Sequence, residues 1–304
     1  MILYFLWRLA NALGRIAPRP VAQFVARRIA ELVYLVWTEK RENAIDNARH
    51  VLPDADEATV RWVAREMMRN YARYLADFIH DPTLEPERVR DLAEFDRWEF
   101  IDEVLAEGKG LIFVLMHFGN WDSGGAFFTA HGYTLNVIAE TFQHDKLNDM
   151  VVGSRRTRGM KIIPMEKSAF AIVRALRRNE ALAILIDRPT PGQGVRVDFF
   201  GAPVEVPAGP ARIARMTGAR VVPVAFIPQR GPRPWRTIVD TRIATPHTND
   251  EERDVHELTQ AIMHSLEQVV RAYPDQWYMF RRMWQGAPAA VPVPPGRLAE
   301  EPRA

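Results

Sequence analysis

Strand-like and helix-like patterns alternate along the chain from about residue 91 onward, and this alternation restricts the possible fold more than any other feature. Helical periodicity follows most of the strand-like runs, so neighbouring strands are joined by crossovers. Apolar runs typical of buried strands lie at 111–116, 135–139, 161–163, 182–186 and 221–227. The sequence therefore predicts an α/β fold with a mostly parallel sheet flanked by helices on both faces.

The remaining elements predicted in this region are two strands and several helices. The strands lie at 195–200 and 236–243, and the helices lie at 97–106, 145–156, 168–178, 207–217 and 251–272. With 304 residues, 47% of them hydrophobic, the chain can bury a sizeable core. We predict amphipathic N-terminal helices over 1–38, one α/β domain over 39–285, and a disordered tail rich in Pro and Ala over 286–304.

The N-terminal segment combines helical spacing of apolar residues with a one-sided charge. Two helices are predicted, one before Pro18 and one after Pro20, and no acid precedes Glu31. The basic residues before that acid are Arg8, Arg15, Arg19, Arg27 and Arg28. Basic amphipathic helices bind the surface of anionic bilayers, and the excess of Arg favours the cytoplasmic leaflet. The alternative is that these helices cover the sheet of a soluble domain.

Composition excludes several classes of protein. A net charge of +2 argues against electrostatic binding of nucleic acid. The absence of cysteine excludes disulfides, thiolate zinc sites and a cysteine nucleophile. His131 and His144 do not stand at metal-ligand spacing with His117, so no metal site is predicted. No uncharged apolar run reaches the ~18 residues expected of a membrane-spanning helix.

The motif H-F-G-N-W-D at residues 117–122 directly follows the predicted strand 111–116. His117 therefore stands at the carboxyl end of a buried strand, where α/β proteins bind their ligands. Histidine accepts protons well near neutral pH, and an acid beside the ring can fix its tautomer. Asp122 within the motif and Asp187 after the strand 182–186 are both candidates for that acid, and spacing does not decide between them.

Four further residues are candidates for binding a substrate. Glu140 follows the strand 135–139 and can accept hydrogen bonds from sugar hydroxyls, whereas Arg155 offers a bidentate guanidinium for a phosphate. Asn120 lies inside the motif, and Arg188 precedes a loop rich in Pro and Gly that can shape a pocket. Backbone N–H groups at the start of the helix after the motif are predicted to stabilise an oxyanion.

Taken together, these segments resemble the bacterial lipid A late acyltransferase family, and within it the phosphatidylinositol mannoside acyltransferase branch. The resemblance runs from about residue 40 to residue 285 and includes the H-x4-D pattern at 117–122. The F-P-E-G-like block of glycerol-phosphate acyltransferases is absent, which argues against that family. The other matching segments are 42–47, 69–74, 108–110, 187–188, 197–201, 207–211 and 273–277.

The resemblance implies a peripheral or monotopic enzyme on the cytoplasmic face of the inner membrane, which moves a fatty acyl chain to a hydroxyl of a membrane glycolipid. The co-substrate is acyl-CoA or acyl carrier protein, and no cofactor is implied. His117 matches the family's base, Asp122 the motif acid, and Glu140 and Arg155 match positions of the acceptor pocket. Asp187 stands where the mannoside branch has a glutamate. Two alternatives remain open: a lysophospholipid acyltransferase, and a non-catalytic lipid-binding protein on the same fold.

Overall fold

The structure, a computed structural model, describes residues 12–14, 16–80, 84–141, 145–165 and 168–284. Most of the first predicted helix and the whole predicted tail lie outside these ranges. Three long helices come first: α1 (Arg19–Val36), α2 (Thr38–Val51) and α3 (Glu57–His80). Within the described ranges, no helix combines the length and the apolar character that crossing a bilayer requires.

Helix α1 packs along α3 and turns its apolar face outward. Ala30 is the one buried residue of α1, and Arg19 near its start forms an ion pair with Asp77 of α3. The large apolar residues exposed on α1 are Val21, Phe24, Val25, Ile29, Leu32, Leu35 and Val36. This apolar face therefore does not cover the sheet, which was the alternative interpretation of the sequence.

The α/β part follows two short elements, α4 (Pro86–Arg90) and β1 (Ala93–Glu94). Its helices are α5 (Trp98–Ala106), α6 (Trp121–Ala130), α7 (Asp145–Thr157), α8 (Ser168–Arg177), α9 (Gly209–Thr217) and α10 (Glu251–Ala272). Its strands are β2 (Leu111–Leu115), β3 (Leu135–Ala139), β4 (Lys161–Pro164), β5 (Ala181–Leu185), β6 (Val195–Phe199), β7 (Ala202–Val206), β8 (Arg220–Pro228) and β9 (Trp235–Val239). A 3₁₀ turn, Pro274–Gln276, follows α10.

In the described part of the chain, seven strands form one sheet in the order β1-β9-β8-β2-β5-β3-β4. Strand β9 is antiparallel to β8, and the other neighbouring strands are parallel. Leu115 and Leu185, the last residues of β2 and β5, pair in register. Side chains that follow these two strands therefore lie side by side at the carboxyl edge of the sheet.

Helices bury both faces of the sheet, as the sequence predicts. Ile112 and Val114 of β2 belong to a core shared with α8, α9 and α10. Leu111 and Phe113 of the same strand belong to a second core with α5 and α6. Because successive side chains of a strand point to opposite faces, this alternation places one helical layer on each side. The predicted α/β fold is confirmed.

Two predicted strands differ in the structure. The strand predicted at 195–200 lies outside the main sheet, because β6 pairs with β7 as an antiparallel hairpin, and β7 was not predicted. Phe200 and Gly201 form its turn with φ of 52° and 73°, where Asn-Gly or Asp-Gly is the usual signal. Strand β9 ends at Val239 rather than at 243, because Asp240 accepts a hydrogen bond from the backbone of Arg242 and turns the chain.

Candidate active site

The H-F-G-N-W-D motif forms the turn from β2 into α6. Gly119 in this turn has a φ of 58°, and a Cβ at this position would lie 1.9 Å from the backbone oxygen of Phe226. The Gly119 N–H donates to the oxygen of Gln276 over 2.9 Å, and the Asn120 N–H donates to the Phe226 oxygen over 3.1 Å. Only glycine fits both this conformation and this space. The position of His117 therefore depends on Gly119.

His117 contacts the carboxylate of Asp187 rather than that of Asp122. Nδ1 of His117 lies 2.8 Å from Oδ1 of Asp187, and the His117 backbone N–H donates to Oδ2 over 2.9 Å. The indole N–H of Trp277 also donates to Oδ2, over 3.0 Å. Asp187 is fully buried, whereas 18% of the His117 side chain is exposed. The parallel pairing of β2 with β5 brings these two residues together.

Asp187 is held as a carboxylate. Burial alone would raise the pKa of Asp187, but the charge of His117 and the hydrogen bonds from His117 and Trp277 outweigh burial and lower this pKa. An ionised carboxylate only accepts, so Nδ1 of His117 carries the proton in this contact. In the neutral form of the ring, the lone pair then lies on Nε2 on the far side, which is the tautomer that a general base requires.

Asp122 belongs to a second buried ion pair. Arg155 donates to its two carboxylate oxygens over 2.7 and 3.1 Å, and the Tyr74 hydroxyl donates to it over 2.7 Å. The exposed fraction is 2% for the Asp122 side chain and 14% for the Arg155 side chain. Burial would raise the pKa of Asp122, but Arg155 outweighs burial and lowers it. The pair joins α6 to α7 and α3, and phosphate binding by Arg155 stays a prediction.

Asn120 is fully buried and caps helix α6. Its side-chain oxygen accepts from the Ser123 N–H over 3.1 Å, and its amide donates to Asp77 over 3.2 Å. Asp77 also accepts from Arg19 and Gln23 of α1, so one carboxylate of α3 links α1 to the motif. These contacts give Asn120 a structural function. Its predicted role in substrate binding is untested.

Glu140 and Arg188 meet at the same edge of the sheet. They form an ion pair between the ends of β3 and β5, with 53% of the Glu140 side chain and 36% of the Arg188 side chain exposed. The hydrogen bond from Arg188 lowers the pKa of Glu140 against the opposing effect of burial, and His117 makes a smaller contribution in the same direction. The pair is close enough to His117 to feel its charge and open enough to meet a ligand.

An apolar cavity of about 90 Å³ lies between α6 and one face of the sheet. Phe113, Leu115 and Leu185 line it from the strands, and Phe128 and Trp98 line it from the helices. Trp121 of the motif also lines it, and the ring centroid of Trp121 lies 5.5 Å from that of His117 in an edge-to-face arrangement. A space with mostly apolar walls suits a hydrocarbon chain.

Most backbone N–H groups of the motif already have acceptors. The N–H of Phe118 donates to Met116, that of Gly119 to Gln276 and that of Asn120 to Phe226. The N–H groups of Ser123 and Gly124 both donate to Asn120. These five groups hold the shape of the turn, and the stabilisation of an oxyanion by backbone groups at the start of α6 stays a prediction.

Three residues that support the site were missed from the sequence: Tyr74, Asp77 and Trp277. An acid inside the apolar helical stretch 76–79 was a usable signal for Asp77, because buried carboxylates need partners. Trp277 ends the matching segment 273–277, but its contact with Asp187 gives no local signal because the two residues lie 90 positions apart. Among the described residues, no group of three or more His, Asp or Glu side chains converges as metal ligands.

Comparison with known proteins shows the family to which this chain is similar. The family model described as bacterial lipid A biosynthesis acyltransferase matches residues 1–286. A phosphatidylinositol mannoside acyltransferase from Mycobacterium tuberculosis is 27% identical over 286 residues, which cover 90% of this chain and 87% of that protein. A protein of the same name from Mycolicibacterium smegmatis is 27% identical over 225 residues, covering 72% of this chain and 71% of that protein.

Proposed function

This chain belongs to the bacterial lipid A biosynthesis acyltransferase family and is an O-acyltransferase, and from that premise we propose that it moves a fatty acyl chain from a thioester donor to a hydroxyl of a membrane glycolipid. The observation that carries the proposal is the contact of half-buried His117 with the buried carboxylate of Asp187. The names of the mycobacterial relatives favour a phosphatidylinositol mannoside as the acceptor class.

His117 acts as the general base in this proposal. Nε2 accepts the proton of the acceptor hydroxyl while the hydroxyl oxygen attacks the thioester carbonyl carbon. Asp187 keeps Nδ1 protonated and stabilises the imidazolium ion that forms. The three hydrogen bonds to Asp187 fix this carboxylate in one orientation, so the ring of His117 is oriented in turn. The expelled thiolate then takes the proton from Nε2.

The acyl tail of the donor occupies the apolar cavity beside α6. Trp121 lines the cavity and its ring contacts that of His117, so we infer that the carboxyl end of a bound acyl chain lies toward the base. Burial of each methylene group contributes about 0.8 kcal/mol to binding. The donor carrier is acyl-CoA or acyl carrier protein, and the proposal includes no further cofactor.

The acceptor headgroup binds at the open carboxyl edge. Glu140 and Arg188 stand there beside the base, and a sugar hydroxyl can donate to Glu140 while Arg188 keeps this acid ionised. Carboxylate–guanidinium pairs at exposed edges form hydrogen bonds with polyhydroxylated ligands without a large desolvation cost.

The enzyme reaches its acceptor from the cytoplasmic face of the inner membrane in this proposal. The exposed apolar stripe of α1 supports it, because this stripe would otherwise remain in contact with water. Arg28 is exposed on the same helix and can contact anionic headgroups. Helix α1 is joined through Asp77 to Asn120 of the motif, so a membrane-bound α1 would hold the site close to the lipid surface.

The test is release of free thiol from palmitoyl-CoA by the full chain, with and without a glycolipid extract. The protein has no cysteine, so a thiol reagent reports released CoA alone. We expect extract-dependent release by the wild type and by His264→Ala, an exposed histidine of α10, and none by His117→Ala. A lysophospholipid that replaces the extract at an equal rate favours the lysophospholipid alternative. Equal rates for wild type and His117→Ala, with both palmitoyl-CoA and acyl carrier protein as donors, would refute the proposal.

A further inference from the structure

We propose that Trp121 is a further catalytic residue, whose indole N–H donates a hydrogen bond to the carbonyl oxygen of the acyl group during transfer. The proposal rests on the acyltransfer at His117 proposed above. It assigns the electrostatic part of the reaction, the stabilisation of the oxyanion, to one side chain of the motif.

Trp121 lies between the base and the apolar cavity. Its ring centroid is 5.5 Å from that of His117, at an interplanar angle of 76°. The opposite contact is a stack on Tyr74, with a centroid distance of 4.0 Å. Trp121 lines the cavity, whereas His117 does not. The ring of Trp121 therefore contacts both the cavity and the base.

The indole N–H of Trp121 is buried, and no described residue accepts its hydrogen bond. A buried donor without an acceptor costs about 1–3 kcal/mol, so such a group in a folded protein needs an explanation. Among other buried indoles, Trp277 donates to Asp187 and Trp284 donates to the oxygen of Phe199, whereas the indole N–H of Trp235 also has no acceptor among the described residues. Trp121 keeps an unused donor on a ring that contacts both the base and the cavity.

Five backbone N–H groups in and after the motif already have acceptors. The N–H groups of Phe118, Gly119, Asn120, Ser123 and Gly124 all donate to protein oxygens. An oxyanion hole functions because preorganised donors are directed at the oxygen that becomes negative. The indole N–H of tryptophan only donates, so it suits an oxygen atom that becomes negative.

The acyl transfer then proceeds in two steps. The acceptor oxygen forms a bond to the carbonyl carbon, its proton moves to Nε2 of His117, and the carbonyl π electrons move to the oxygen that accepts from Trp121. The C=O bond then re-forms, the C–S bond breaks, and the thiolate takes the proton from His117. Because protein atoms cover the indole N–H, the proposed hydrogen bond requires the ring of Trp121 to tilt when the thioester binds.

The test compares Trp121→Phe with Trp235→Phe in the full chain, using the thiol-release assay. Trp235 is a matched control, because its indole N–H is also buried without an acceptor but does not line the cavity. We expect Trp121→Phe to lower kcat about 100-fold, the usual effect of removing one oxyanion donor, with the donor KM within about 3-fold of wild type. Trp235→Phe should keep kcat within about 3-fold.

Three results separate the possible outcomes. A kcat of Trp121→Phe within about 3-fold of wild type, or a loss confined to KM, would overturn the proposal and leave Trp121 as a wall of the cavity. If Trp121→Phe does not fold, benzothienylalanine at position 121 replaces the N–H by sulfur and keeps the ring shape, and the same kcat criterion applies. Absence of acyl transfer by the wild type would instead refute the proposed function.

Discussion

Gly119→Ala should destabilise the fold far more than Gly108→Ala, although both glycines have a positive φ. The added Cβ lies 1.9 Å from the Phe226 oxygen, so one of the two backbone segments must move. That movement breaks the 3.1 Å hydrogen bond from Asn120 to the same oxygen. We expect about 1–2 kcal/mol for the left-handed conformation, about 1 kcal/mol for the hydrogen bond and about 1–3 kcal/mol for overpacking.

Gly108→Ala is the matched control for this prediction. Gly108 has a φ of 72°, yet a Cβ there meets no atom within 4 Å, so only the conformational cost remains. We expect Gly119→Ala to be less stable than Gly108→Ala by about 2–4 kcal/mol, or roughly 3–6 °C in Tm. Thermal unfolding followed by tryptophan fluorescence measures this difference. Equal Tm values for the two variants would refute the packing argument for the motif turn.

Three further predictions concern stability and membrane binding. Asp122→Ala leaves its guanidinium partner buried and unpaired, so unfolding by urea should show a loss of about 3–5 kcal/mol. The hydrogen bond from Arg178 is the largest of the effects that lower the pKa of Glu180 to about 2, and burial opposes them. The Tm of Glu180→Gln should therefore lie furthest below that of the wild type above about pH 5, and the difference should disappear as the pH falls toward 2. Leu32→Glu on the exposed face of α1 should weaken sedimentation with anionic vesicles about 10-fold or more, whereas Met216→Glu on α9 should not.

Strand and helix periodicity predicts most of the fold because burial imposes it locally. Strand β3 at 135–139 and helix α10 at 251–272 have the predicted bounds. The hairpin of β6 and β7 could not be predicted in the same way, because its turn is built from Phe200 and Gly201 rather than from a recognised turn pair. Its position outside the main sheet also depends on packing against α10, which periodicity does not encode.

Predicting the site required the order of the strands, which the sequence does not contain. His117 and Asp187 could each be placed at a strand end, but the contact depends on β5 lying beside β2 although β3 and β4 come between them in the chain. Asp122 is next to His117 in the motif, yet the turn into α6 directs it toward Arg155 and Tyr74. The sequence left both acids open as partners of His117, and the long-range pairing of β2 with β5 determines the contact with Asp187.

The most direct test of the central claim is the kcat of Asp187→Asn in the thiol-release assay, compared with that of Asp122→Asn. Asparagine keeps the size of the side chain but removes the charge that holds Nδ1 of His117 protonated. We expect kcat of Asp187→Asn to fall by about 100-fold or more with the donor KM nearly unchanged, and Asp122→Asn to retain at least about a tenth of kcat. Wild-type kcat in a folded Asp187→Asn variant would contradict the assignment of His117 and Asp187 as the catalytic pair.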